Sequence, residues 1–105
     1  MVAAGPVWIA KTVLIGTAWF LRGTYGFEKT AVCKALTNLL GLDDVSVEDE
    51  ASVIAALELA GQGLGFADAM HFCSTPPGAT FVSFDRSFIR RARHAGHRTV
   101  ALCGE

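Results

Sequence analysis

Two aspartates, Asp68 and Asp85, are the groups in this chain best placed to do chemistry. Asp85 directly follows the β-prone run TFVSF (80–84) and heads the segment RSFIRRARHAG (86–96), so it falls where an expected strand hands over to an expected helix. Asp68 falls in the first turn of another expected helix, FADAMHFCS (66–74), among apolar neighbours. Ordinary structure accounts for each one separately: aspartate is a good N-cap, and a carboxylate near a helix N-terminus complements the helix dipole. Together they have a further use. Hard cations such as Mg²⁺ or Mn²⁺ take oxygen ligands, often one or two carboxylates with waters and phosphate oxygens. Such an ion polarises a phosphoryl oxygen and supplies hydroxide. In open α/β sheets ligands collect beyond the carboxyl ends of the strands, which is where Asp85 is expected.

Charge is balanced overall, at a formal −1, but unevenly distributed. Asp43, Asp44, Glu48, Asp49, Glu50 and Glu58 form an acidic stretch without an intervening Lys or Arg, and Arg86, Arg90, Arg91, Arg93 and Arg98 crowd the C-terminal part. The arginine segment has three readings: a solvated helix face, a surface on which Arg86, Arg90 and Arg93 hold RNA phosphates near Asp85, or a face that meets an acidic protein partner. Other chemistry finds little support. His71, Cys73, His94, His97 and Cys103 lack the spacing of a recognised zinc ligand set, and His71 reads as a packed or capping residue. The glycines of GQGLG (61–65) neither follow a strand nor precede a Lys-Ser/Thr pair, so they do not make a nucleotide loop.

The elements that must position the aspartates follow from periodicity. PVWIA (6–10) reads as a short buried strand and leads into an apolar helix, KTVLIGTAWFLRGTYGF (11–27), interrupted by Gly16. Helical spacing resumes at 28–40, with Val32, Leu36, Leu39 and Leu40 on one face and Gly41 at the C-cap. DDVSVED (43–49) alternates like a strand, and 50–60 form a helix with Val53, Leu57 and Ala60 inward. The turn STPPGA (74–79) precedes the strand TFVSF, Gly96 closes the arginine helix, and RTVAL (98–102) is a last strand. Strands separated by helices predict an α/β fold with a parallel sheet and crossover helices.

The 105 residues are 51% hydrophobic, enough for one core and one domain. Cys33, Cys73 and Cys103 are odd in number and sit in apolar runs, which predicts buried free thiols and a cytoplasmic setting. A membrane partner is not expected. Lys11 interrupts the apolar N-terminal region, residues 12–21 fall short of the ~20 needed to span, and no basic segment marks a signal peptide.

GFADAMH, followed some ten residues later by TFVSFDRSF and preceded by VWIAKTVLIGTAWFLRGTYGF, resembles the PIN domain family, in particular VapC-type toxins of bacterial toxin–antitoxin pairs. The resemblance runs over essentially all of residues 5–101. It implies a three-layer α/β/α fold and a metal-dependent endoribonuclease, a hydrolase using Mg²⁺ or Mn²⁺ on RNA, with an antitoxin as protein partner. By the same likeness Asp68 and Asp85 match two acidic metal ligands. Two further positions depart from the family. A glutamate expected in a motif like LLETEWVLR is replaced by Gly16 in LIGTAWFLR, and an initial strand like DTNVL, with its aspartate, has no counterpart. The expectation is therefore a single, N-terminally truncated PIN-like domain (1–105) lacking the first, central strand, with activity weakened or lost. The other expectation is a non-catalytic remnant that self-associates or binds antitoxin.

Gly16 costs about 1 kcal/mol relative to alanine in a helix interior, so it needs a reason. Either it stands in place of a lost metal ligand, or two backbones cross closely there. The absent strand is expected to leave unpaired edges near Val7–Ile9 and Phe81–Phe84, with closure by a homodimer or by the sheet itself. An incorrectly assigned start is a further explanation of the short N-terminus.

Overall fold

The computed structural model describes residues 7–104. Nine elements follow in chain order: β1 (Val7–Ile9), α1 (Lys11–Gly23), α2 (Lys29–Leu40), β2 (Val45–Val47), α3 (Glu50–Gly61), α4 (Phe66–Cys73), β3 (Phe81–Ser83), α5 (Arg86–His94) and β4 (Val100–Leu102). Each expected strand and helix within these residues is present, with ends shifted by a few residues. Residues 1–6, including Pro6 and the start of the expected first strand, lie outside the described residues.

The strands form two parallel pairs. β1 runs beside β2, with Trp8 opposite Ser46, and β3 beside β4, with Val82 opposite Ala101. Helices make both crossovers, α1 and α2 in the first and α5 in the second, as parallel pairing requires. No ladder joins β1 to β3 among the described residues, so the fold is mixed α/β with two small sheets. Both pairs share one core, in which Leu14, Leu36, Val53 and Met70 are almost completely buried. Ile9 and Phe81 pack against it from β1 and β3, whereas the middle residues Trp8 and Val82 alternate outward and are 62% and 55% exposed.

The helices bury narrow stripes. α1 hides Leu14 and Ala18, one turn apart, and exposes Val13, Trp19 and Phe20. On α2, Val32 and Leu36 are buried while Leu39 and Leu40 are half-buried; on α3, Val53 and Ala60 are joined by Ala56 and Leu59, with Leu57 half-buried. The expected C-terminal glycines take different conformations. Gly41 is right-handed at the end of α2, and Gly96 has φ +97° just after α5, where glycine avoids the Cβ penalty. The cysteines correct the expectation of buried thiols. Cys33 and Cys73 are half-buried and Cys103 is exposed, because each falls at the border of an apolar stripe or at a strand end. No helix among the described residues is long and apolar enough to cross a membrane.

Two contacts fix the site-bearing elements. Phe72 of α4, Phe81 of β3 and Phe88 of α5 form an aromatic triangle with centroids 5.8–6.2 Å apart, extended by His97 on Phe72 at 5.2 Å. Lys11, at the start of α1, bonds Asp49 Oδ2 and Ser74 Oγ, each at 2.8 Å, and so ties α1 to the N-terminus of α3 and the end of α4.

Candidate functional site

Asp85 ends the β3 segment and caps α5. Its Oδ1 accepts from the Phe88 amide at 3.0 Å, and its own amide donates to Ser83 Oγ at 3.0 Å. Asp68 lies in the first turn of α4, which begins after Gly65 without a side-chain cap. The carboxyl groups of the two aspartates lie close enough to act on each other's charge. The aromatic contact behind them explains the meeting: Phe72 follows Asp68 by one turn, Phe88 follows Asp85 by nearly one, and the two rings touch.

The two carboxyls are electrostatically unequal. Burial pushes Asp68 up, and Asp85 with its negative charge pushes in the same direction, against a smaller opposing effect of His71. Asp85 is exposed, and the Phe88 amide holds its carboxyl below the usual range, helped by the neighbouring Asp68 and by the charge of Arg91. The arrangement is a pair of carboxyl groups in the first turn and at the N-cap of two helices, each acting on the other's titration.

Carboxylate oxygens are the donors a hard divalent ion takes, and Asp68 and Asp85 are the residues that would hold one, with waters or phosphate oxygens completing its shell. No group of three His, Cys, Asp or Glu side chains suited to a metal occurs among the described residues. Such an ion would supply charge stabilisation and an activated water; the chain's own residues supply orientation, through the Phe88 amide and Ser83 hydroxyl that fix Asp85.

Gly16 does not mark a close helix crossing: a Cβ built there meets no heavy atom within 4 Å. The packing explanation of this glycine is therefore set aside. Its neighbours Ile15 and Trp19 share with Val32, Phe66 and Asp68 the lining of a cavity of about 460 Å³, into which Arg22 and Lys29 also contribute.

The three arginines singled out by the sequence take separate positions. Arg86 is exposed in the first turn of α5, Arg90 lines a second cavity, and Arg93 Nη2 donates to the Val100 carbonyl at 3.4 Å. Sequence reasoning missed Arg91, the arginine whose charge acts on Asp85, and Lys29. Both donate to the Gly63 carbonyl, Arg91 Nη1 at 2.7 Å and Lys29 Nζ at 3.5 Å. The signal available for Arg91 was helix phase: with Arg90 and His94 it falls on the side of α5 that borders the α3–α4 turn, away from Arg86 and Arg93. Comparison with protein-family models, curated proteins and solved structures found no match to this chain.

Proposed function

We propose that this chain is a VapC-like PIN-domain protein whose Asp68–Asp85 pair is a residual divalent-cation site for hydrolysis of RNA, weaker than a site with a full acidic set. The observation that carries this reading is the approach of two carboxyls from separate helix N-termini, close enough to act on each other. Two ligands give less charge and less orientation than three or four, so the rate is reduced through poorer stabilisation of the phosphoryl transition state. The test is cleavage of a labelled RNA mixture in Mn²⁺ by the wild type beside Asp68→Ala and Asp85→Ala. Metal-dependent cleavage that disappears in both variants supports the reading; equal background in all three removes it.

A second reading, a non-catalytic module that self-associates or binds an antitoxin, is favoured by exposed apolar side chains. Trp19 and Phe84 are 78% and 84% exposed, and β1 and β3 each have a single strand neighbour. Light scattering across a concentration series distinguishes a homodimer from a monomer. A dimer that Phe84→Ser dissociates, together with absent cleavage, selects this second reading.

A further inference from the structure

The Gly63 carbonyl, in the turn between α3 and α4, is held between two cations from elements far apart in sequence, Lys29 of α2 and Arg91 of α5. Gly63 has φ +100°, a conformation in which glycine is unstrained, so the turn presents that oxygen without strain. A single neutral oxygen leaves most of both charges uncompensated. Among the described residues the Lys11–Asp49 bridge is the one ion pair, and no carboxylate lies within pairing distance of Lys29, Arg90 or Arg91. Arg91 acts on the Asp85 carboxylate without forming an ion pair with it, and like charges gathered with no paired counter-ion are relieved by an incoming anion.

The clamp also connects two cavities. Lys29 lines the one that contains Asp68. Arg91 lines a second, of about 610 Å³, between the α3–α4 turn and α5, where Arg90, His94 and Gln62 are its other polar side chains. Every titratable side chain in that second cleft is basic. Arg90 and His94 are one turn apart on α5, and His94 is three residues from Arg91, so the helix presents all three toward the turn. The result is a basic track running from the cavity of Asp68 past Gly63 and along α5.

We infer that this track, formed by Lys29, Arg90, Arg91 and His94 around the Gly63 carbonyl, is a subsite for the phosphate backbone of single-stranded RNA on one side of the Asp68–Asp85 pair. RNA as the occupant rests on the ribonuclease reading above; the anion preference rests on the charges alone. The guanidinium forks of Arg90 and Arg91 suit phosphate oxygens geometrically, while Lys29 acts as a point charge. Contacts of this kind set affinity and register and carry no sequence preference.

The test is fluorescence anisotropy of a labelled, mixed-sequence single-stranded RNA in buffer containing EDTA, over a series of salt concentrations. Wild type is compared with Arg90→Gln, Lys29→Gln and Arg91→Gln, and with Lys34→Gln, an exposed lysine of α2 outside both cavities, each checked for folding by circular dichroism. Arg90→Gln is the variant least able to disturb the fold, because its side chain is exposed and makes no hydrogen bond to the Gly63 turn. The expected result is weaker binding in the three basic-site variants, with the salt slope reduced by about 0.7 per lost phosphate contact, and an unchanged slope in Lys34→Gln. An unchanged slope in both Arg90→Gln and Lys29→Gln overturns the subsite, whether or not the protein cleaves RNA. Polyglutamate competing as well as unlabelled RNA also overturns it, in favour of an acidic protein. Reduced slopes without any cleavage in Mn²⁺ uphold the subsite and remove only the catalytic reading.

Discussion

Asp68 and Asp85 are neighbouring carboxyls of opposite tendency, the first favouring its proton and the second its charge. For Asp68 the folded-state pKa is raised, so its contribution to stability is fully present below the unfolded value of about 3.9 and is lost as pH rises through the folded value. For Asp85 the folded value is depressed, so its contribution is present above about 3.9 and is lost as pH falls through the folded value. At neutral pH an ionised Asp68 is thus a source of instability retained in the site.

Asp68→Asn should therefore stabilise the protein at pH 7, since a neutral amide removes the charge that burial and the Asp85 carboxylate both disfavour. The gain is expected to be about 1 kcal/mol or less, because solvent screens a half-exposed pair. Thermal melts across pH check it: the advantage should shrink as pH falls and wild-type Asp68 takes up its proton. A variant less stable than wild type at pH 7 would contradict this account of the pair.

Phe88→Ala tests what holds the aspartates together. Phe88 is 3% exposed and belongs to the aromatic triangle with Phe72 and Phe81, so truncation should cost about 3–5 kcal/mol. Phe88→Leu should cost less and keep α5 seated. In carbon-detected carboxyl titrations the leucine variant should nonetheless bring the Asp68 and Asp85 values closer together, because their contact depends on how the two helices pack. Values that stay as far apart as in wild type would show that the pair is fixed by the turns alone.

Much of the element order was legible in the residues. The alternation of Val45 and Val47 and the handover from TFVSF to Asp85 mark β2, β3 and the start of α5, because local periodicity and capping chemistry decide them. Asp85 as an N-cap was legible for the same reason. The proximity of Asp68 to Asp85 was an expectation from likeness, and it depends on ring packing between α4 and α5 that no local pattern encodes. Lys29 and Arg91 were less legible still, since the group that joins them is a backbone carbonyl whose direction is set by Gly63. The apolar sequence of α1 overstated its burial: Val13, Trp19 and Phe20 lie on faces that no described element covers.

The Lys11–Asp49 bridge should make stability depend on acid and on salt. Asp49 caps α3 from a left-handed conformation, φ 51°, and the bond from Lys11 holds its carboxyl below the usual range. A depressed folded value contributes stability above the unfolded value of about 3.9, lost as pH falls through the folded one. Urea midpoints of wild type and Asp49→Asn should differ at neutral pH and converge in acid, with a smaller difference at high salt. Asparagine tolerates the left-handed backbone, so the comparison isolates the charge. Parallel midpoints at all pH values would show that the bridge adds nothing.

Thiol reactivity should follow position. Burial raises the thiols of Cys33 and Cys73, the latter helped by the charge of Glu58, whereas Cys103 is exposed at the end of β4. With an aromatic disulfide reagent at pH 8, Cys103 should react faster than the other two by roughly an order of magnitude. Cys103→Ser should remove the fast phase and leave the slow one. A fast phase surviving that substitution would place the accessible thiol elsewhere.

Gly16 allows the missing-ligand proposal to be tested by addition. A side chain there meets open space, so Gly16→Ala should stabilise α1 by about 1 kcal/mol through helix propensity, raising the melting temperature by about 4–8 °C. Gly16→Glu introduces a carboxylate on α1, between Ile15 and Trp19, two residues that line the cavity containing Asp68. If that position once completed the cation site, the glutamate variant should bind Mn²⁺ more tightly than wild type by calorimetry, and Asp68→Ala in the same background should abolish the gain. The alanine variant controls for helix stabilisation, because it adds no oxygen. Equal Mn²⁺ affinity in the glutamate and alanine variants would show that α1 does not approach the Asp68–Asp85 pair closely enough to serve it, leaving Gly16 unrelated to the site.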